Sequence, residues 1–152
     1  MLLENIHSPA DIKKYSEDEI ISLMGEMREK IISTVSKTGG HLASNLGIVE
    51  TTVALHRVFD SPKDSIIFDV GHQCYAHKLL TGRYGSFDTL RRAGGISGFT
   101  SRGESEHDVL TAGHSGSALP IALGIARANA LAGSDAYTVV VIGDGSFTNG
   151  MV

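Results

Sequence analysis

The amino-acid pattern predicts an α/β fold in which an incomplete parallel sheet is flanked by helices. Two continuous apolar runs, residues 65–70 and 137–142, are each closed by a glycine, Gly71 and Gly143. Runs of this length, with no polar alternation, read as strands buried on both faces, as in a parallel sheet. Stretches with apolar steps of three and four supply the helices. The order helix, helix, strand, loop, helix, strand has no internal repeat and no linker, and 152 residues suit one domain.

The elements follow in order. Ser16-Glu17-Asp18-Glu19 is a capping box, in which Ser16 caps and Glu19 reaches back. Behind it Ile20, Leu23, Met24, Met27, Ile31 and Val35 mark an amphipathic helix over 17–36, stopped by Gly39-Gly40. A second helix is expected over 46–59, burying Val49, Val53, Leu55 and Val58 and ended by Asp60-Ser61-Pro62. Residues 74–81 have room for one or two helical turns. From 82 to 113, six glycines before Gly113 predict a long loop with little regular structure, a kind that is usually functional. Residues 115–132 form a smooth alanine- and glycine-rich helix, expected to be buried, with Pro120 allowed only in its first turn. After the second strand, Gly143-Asp144-Gly145-Ser146-Phe147 is read as a turn, and a further helix is expected beyond it.

Composition narrows the function. The formal net charge is -4, from 13 Lys and Arg against 17 Asp and Glu. Such a chain has no basic surplus for a phosphate backbone, so nucleic acid is not expected as a partner. The longest apolar run is far short of the roughly 20 residues a membrane span needs. The opening Met1-Leu2-Leu3-Glu4-Asn5 has no basic region before its apolar residues, and the lone Cys74 favours a reducing compartment, so a cytoplasmic protein is expected. Glycine, at 18 residues, is about 12% of the chain against the usual roughly 7%, and there are seven histidines.

That excess gathers in three turns: Gly71-His72-Gln73, Gly113-His114-Ser115-Gly116-Ser117 and Gly143-Asp144-Gly145-Ser146. Two of them follow strands and one precedes a helix, the positions where ligands collect in open α/β sheets. Glycines let backbone N–H groups close on phosphate oxygens. An aspartate there repels phosphate unless a divalent cation lies between, so Gly-Asp-Gly after a strand suggests Mg²⁺ bridging a diphosphate. There is no Gly-x-x-x-x-Gly-Lys-Ser/Thr run, no Gly-x-Gly-x-x-Gly opening a helix, no zinc spacing and no Gly-x-Ser-x-Gly elbow.

Gly40-His41-Leu42-Ala43-Ser44-Asn45-Leu46-Gly47, Asp69-Val70-Gly71-His72-Gln73, His77-Lys78-Leu79-Leu80-Thr81-Gly82-Arg83 and Gly103-Glu104-Ser105-Glu106-His107-Asp108 stand in that order, followed by Gly113-His114-Ser115 and Gly143-Asp144-Gly145. From about residue 8 onward the chain resembles the N-terminal part of the 1-deoxy-D-xylulose-5-phosphate synthases, thiamine-diphosphate enzymes of the transketolase superfamily. The resemblance implies a transferase that condenses pyruvate with glyceraldehyde 3-phosphate, losing CO₂, for isoprenoid, thiamine and pyridoxal precursor synthesis. It implies thiamine diphosphate and Mg²⁺ as cofactors and a homodimeric full-length enzyme. By the same resemblance Asp144 is a Mg²⁺ ligand, and His72, Gly113, His114, Ser115, Gly145 and Ser146 line the cofactor. His41 assists proton transfer near the reacting centre. Arg91 and Arg102 are weaker candidates for substrate or loop contacts, and His77 is set aside as a residue that orders its loop.

The chain also departs from the family pattern. Asn149, five residues after Asp144, is too near to be the family's second Mg²⁺ ligand, an asparagine farther along. The activating glutamate and most substrate-phosphate arginines belong to a later domain. The expectation is therefore a diphosphate-binding domain, residues 1–152, truncated after its Gly-Asp-Gly turn, without the pyrimidine-binding and C-terminal domains and inactive alone. The alternatives are a transketolase-like N-terminal subunit completed by another chain, and a non-catalytic binding or assembly remnant.

Overall fold

The computed structural model describes residues 1–152. The backbone gathers into two compact units, each made of two chain segments: Met1–Asp60 with Gln73–Gly98, and Ser61–His72 with Phe99–Val152.

The first unit is helical. Helix α1 spans Glu17–Thr38 behind the expected capping box, with both reciprocal bonds formed, and it ends at Gly39. It buries Ile20, Leu23, Met27, Ile31 and Val35, the stripe read from the sequence. Two short 3₁₀ segments precede it, Leu3–Asn5 and Pro9–Lys14, and they bury Leu3 and Ile12. A short helix that the sequence did not predict, α2 (Leu42–Leu46), precedes α3 (Val49–Val58), which is the helix expected over 46–59 and starts three residues later. The break falls at Gly47 and at Ile48, whose φ of -120° and ψ of 7° are not helical. Helix α3 buries Val49, Thr52, Val53 and His56, while Leu55 is only half-buried and Val58 is 70% exposed. The expectation for those two was wrong because the packed face runs 49, 52, 53, 56, and Val58 lies off that stripe in the last turn. Helix α4 (Tyr75–Leu80) is buried at every position. Its Tyr75 meets Phe87 edge to face at 6.2 Å, and its His77 stacks on His56 with Nδ1 and Nε2 2.9 Å apart. Phe87 lies in a 3₁₀ segment, Tyr84–Thr89, inside the region expected to lack regular structure.

The second unit carries the sheet. Strands β1 (Ser65–Phe68) and β2 (Thr138–Val141) pair in parallel, Ser65 with Thr138 through Phe68 with Val141. Helix α5 (Ala118–Leu131) packs on both strands. The parallel α/β architecture is thus the one the sequence predicts. Both strands are shorter than expected, because Val70 (φ 61°) and Gly71 (φ 79°) turn the chain into the left-handed region just after β1. Burial also differs. β1 is buried from Ile66 onward, whereas β2 is half-buried along its length. Helix α5 is not a buried helix: Ala118 and Ala122 face the core with Ile67, while Leu123 and Leu131 are 73% and 76% exposed. Small residues give it a narrow contact stripe rather than an all-round one. The Gly-Asp-Gly turn closes into a single helical turn, α6 (Asp144–Phe147).

Candidate diphosphate site

The site in the second unit begins with two parallel strands that end side by side. The Asp69 N–H donates to the Val141 carbonyl at 2.8 Å, carrying the pairing one residue beyond β1. Asp69 itself is 1% exposed. Its Oδ2 accepts the Gly116 N–H and its Oδ1 the Ala118 N–H, each at 3.0 Å. Burial pushes the Asp69 carboxyl upward, but these backbone donors, helped by the nearby Ser146 hydroxyl and Ser117 N–H, outweigh it and hold the group below the usual carboxylate range. The turn before α5 is therefore held on the carboxylate that closes β1, beside the end of β2.

Around it lie the residues singled out by sequence. Gly113, His114 and Ser115 form the approach to α5, with Gly113 at φ 146°. Asp144, Gly145 and Ser146 make up most of α6. Asp144 is exposed, and its Oδ1 accepts the Gly145 N–H at 2.8 Å. His72 follows the Val70-Gly71 bend. A Cβ on Gly113, Gly143 or Gly145 would meet nothing within 4 Å, so these glycines border open space. Gly71 is different, because a Cβ there would fall 2.9 Å from Ala112 Cβ and 3.1 Å from Thr100 N.

His41 belongs to the first unit. It caps α2, and its ring is exposed. Its carbonyl accepts the Asn45 side-chain amide at 2.6 Å, and its N–H donates to the Tyr75 hydroxyl at 3.4 Å. Buried Asn45 in turn accepts the Tyr75 N–H at 2.9 Å. Gly40 must be small, since a Cβ would lie 2.6 Å from the Tyr75 hydroxyl. Arg91, in the same unit, has φ 63° and lays its side-chain stem against Gly98 and Gly40. In the second unit, the Arg102 N–H donates to the Thr111 hydroxyl at 3.2 Å.

Several of these residues escaped the sequence reading. Asp69 stood in a quoted motif but received no role; a carboxylate closing an apolar strand just before glycine was the available signal. Asn149, excluded above as a metal ligand, donates its amide to the Ser115 carbonyl at 3.4 Å. Asn45 stood in the quoted 40–47 motif without a role, and Tyr75 read as an ordinary helical residue.

The donor set fits a Mg²⁺-diphosphate group. No cluster of three His, Cys, Asp or Glu side chains is present that could hold a metal by itself. One exposed carboxylate, Asp144, beside hydroxyls and open glycine backbone suits Mg²⁺, which takes one or two carboxylates together with phosphate oxygens.

Residues 3–152 match the family model described as 1-deoxy-D-xylulose-5-phosphate synthase. The chain is 56% identical over 151 residues to the 1-deoxy-D-xylulose-5-phosphate synthase of Thermus thermophilus, covering 99% of this chain and 25% of that protein. It is 57% identical over 150 residues to the synthase of Caldanaerobacter subterraneus and 58% over 151 to that of Dictyoglomus turgidum, each covering 99% of this chain and 24% of the relative. The chain thus spans about a quarter of the length of these relatives. A match that runs from residue 3 to residue 152 takes in every turn gathered around Asp69, and by it the chain belongs to the 1-deoxy-D-xylulose-5-phosphate synthase family.

Proposed function

We propose that this chain forms the N-terminal part of the diphosphate-binding domain of a synthase that condenses pyruvate with glyceraldehyde 3-phosphate and releases CO₂, a step toward isoprenoid, thiamine and pyridoxal precursors. The observation that carries the reading is the placing of the 113–118 turn, held on buried Asp69, and of the Gly-Asp-Gly turn at the carboxyl ends of two parallel strands. Ligands of open α/β sheets sit there.

In this reading Asp144 holds Mg²⁺, and His72, Gly113, His114, Ser115, Gly145 and Ser146 hold thiamine diphosphate. The bound cofactor supplies the electron sink for breaking and making the carbon–carbon bond. The polypeptide's own part is to anchor the diphosphate with glycine backbone and hydroxyls and to neutralise it through the ion on Asp144. His41, whose backbone is fixed from both sides, moves protons at its imidazole. The working protein is cytoplasmic and homodimeric, with a pyrimidine-binding and a C-terminal domain downstream. No helix here is long and apolar enough to cross a membrane.

Two measurements test this. The isolated chain, given pyruvate, Mg²⁺ and thiamine diphosphate, releases no CO₂; turnover by the chain alone would refute the reading that it needs the downstream domains. A chimaera in which the chain replaces the matching quarter of the Thermus thermophilus relative releases CO₂ only when glyceraldehyde 3-phosphate is present. In that chimaera Asp144→Ala abolishes the reaction, and retained turnover in Asp144→Ala would remove Asp144 from the metal site.

A further inference from the structure

Asp69 ties distant stretches of chain together. It comes from the end of β1, where its N–H pairs with Val141 of β2, and its two backbone donors lie 47 and 49 residues later. An ionised carboxylate only accepts, at about four lone-pair sites, and so it can serve several donors at once. The first N–H groups of a helix have no partner within it. Asp69 takes the N–H of Ala118, the first residue of α5, and the N–H of Gly116 before it. Those donors are spent inside the fold and are not available to a phosphate. Aiming this carboxylate requires a strained bend, with β-branched Val70 at φ 61° followed by Gly71 at φ 79°. The loop is clamped from its other side as well: Gly116, at φ 79°, has room only for hydrogen, since a Cβ would lie 2.5 Å from Asn149 Cγ.

We propose that Asp69 is the positioning residue of the diphosphate site, fixing the turn that leads into α5 at the ends of the two strands before any cofactor binds. This rests on the reading that this turn and the Gly-Asp-Gly turn hold the diphosphate. It also assigns the contacts: the diphosphate meets Gly113, His114, Ser115 and Gly145, while the Gly116 and Ala118 amides serve Asp69.

Asp69→Asn tests it, because an amide presents an NH₂ group to donors that need an acceptor. In the cofactor-free chain the Gly116 and Ala118 amides exchange with solvent at least about tenfold faster than in the unsubstituted chain, while α1 amides keep their protection. In the chimaera the Mg²⁺-dependent affinity for thiamine diphosphate falls about 10–100-fold, the loss typical when a group that orients ligating residues is removed. Unchanged exchange at Gly116 and Ala118, or unchanged affinity, overturns the proposal. His114→Ala separates the two levels of inference. If it weakens cofactor binding and Asp69→Asn does not, only the positioning role fails. If neither weakens binding, the site reading fails with it. Should Asp69→Asn not fold, the unsubstituted cofactor-free chain carries the test: its Gly116 and Ala118 amides, bonded to Asp69, exchange more slowly than the neighbouring Gly113 and His114 amides. Equal exchange across the turn overturns the proposal.

Discussion

Gly71 illustrates how one residue can be constrained by backbone and by space together. Its φ of 79° costs an L-residue about 1–2 kcal/mol, and the 2.9 Å approach of Ala112 Cβ leaves no room for a methyl group. Gly71→Ala is therefore expected to lower stability by at least about 1–2 kcal/mol, read as a shifted midpoint in chemical denaturation; an unchanged midpoint would show that the bend relaxes freely. Asp69 gives a pH dependence whose sign follows from its donors. Its carboxyl is held below the ordinary range, so the stabilisation is fully present above the unfolded value of about 3.9 and is lost as pH falls through the lower folded value. Thermal unfolding of Asp69→Asn should accordingly fall less steeply as the pH drops below the unfolded value of about 3.9 than that of the unsubstituted chain. Equal slopes would mean that other carboxylates dominate the acid limb.

Among the elements, α1 and α5 contrast in how far sequence predicted burial. The α1 stripe is spaced at three and four residues with large side chains, and that spacing alone places Leu23 and Met27 in the core. Leu23→Ala should cost about 2–5 kcal/mol as a cavity substitution. Helix α5 is apolar nearly all round, a pattern that predicts burial, yet only Ala118 and Ala122 are buried, with Ile121 and Ile125 partly covered beside them. Leu123→Ala should change the stability of this chain by less than about 0.5 kcal/mol, because the leucine is 73% exposed. A large loss there would place Leu123 in an interface. The unexpected helix α2 ahead of α3, and the break between them at Gly47 and non-helical Ile48, are local backbone choices that apolar periodicity does not register.

Across the whole molecule, protection is expected to be uneven. The first unit packs Leu23, Met27, Ile31, Tyr75, Leu79 and Phe87 with no exposure. The second rests on a two-stranded sheet whose β2 is half-buried, and sheets this small are marginal without further cover. Hydrogen exchange should find α1 the slowest region and β2 with the C-terminal half of α5 among the fastest. Uniform protection would contradict that order.

Residue order was enough to determine the α/β class, the capping box and stripe of α1, both strands and the glycine-bounded turns around Asp144, because propensity, periodicity and turn chemistry are local properties. The motif order also carried the family. Tertiary structure alone decided which polar groups serve the fold. Asp69, Asn45 and Tyr75 act on residues tens of positions away. Burial of β2 and α5 was likewise beyond local reading, since an apolar surface becomes core only where another element covers it. Sequence shows which side chains can make such contacts; only the folded chain shows which donor reaches which acceptor.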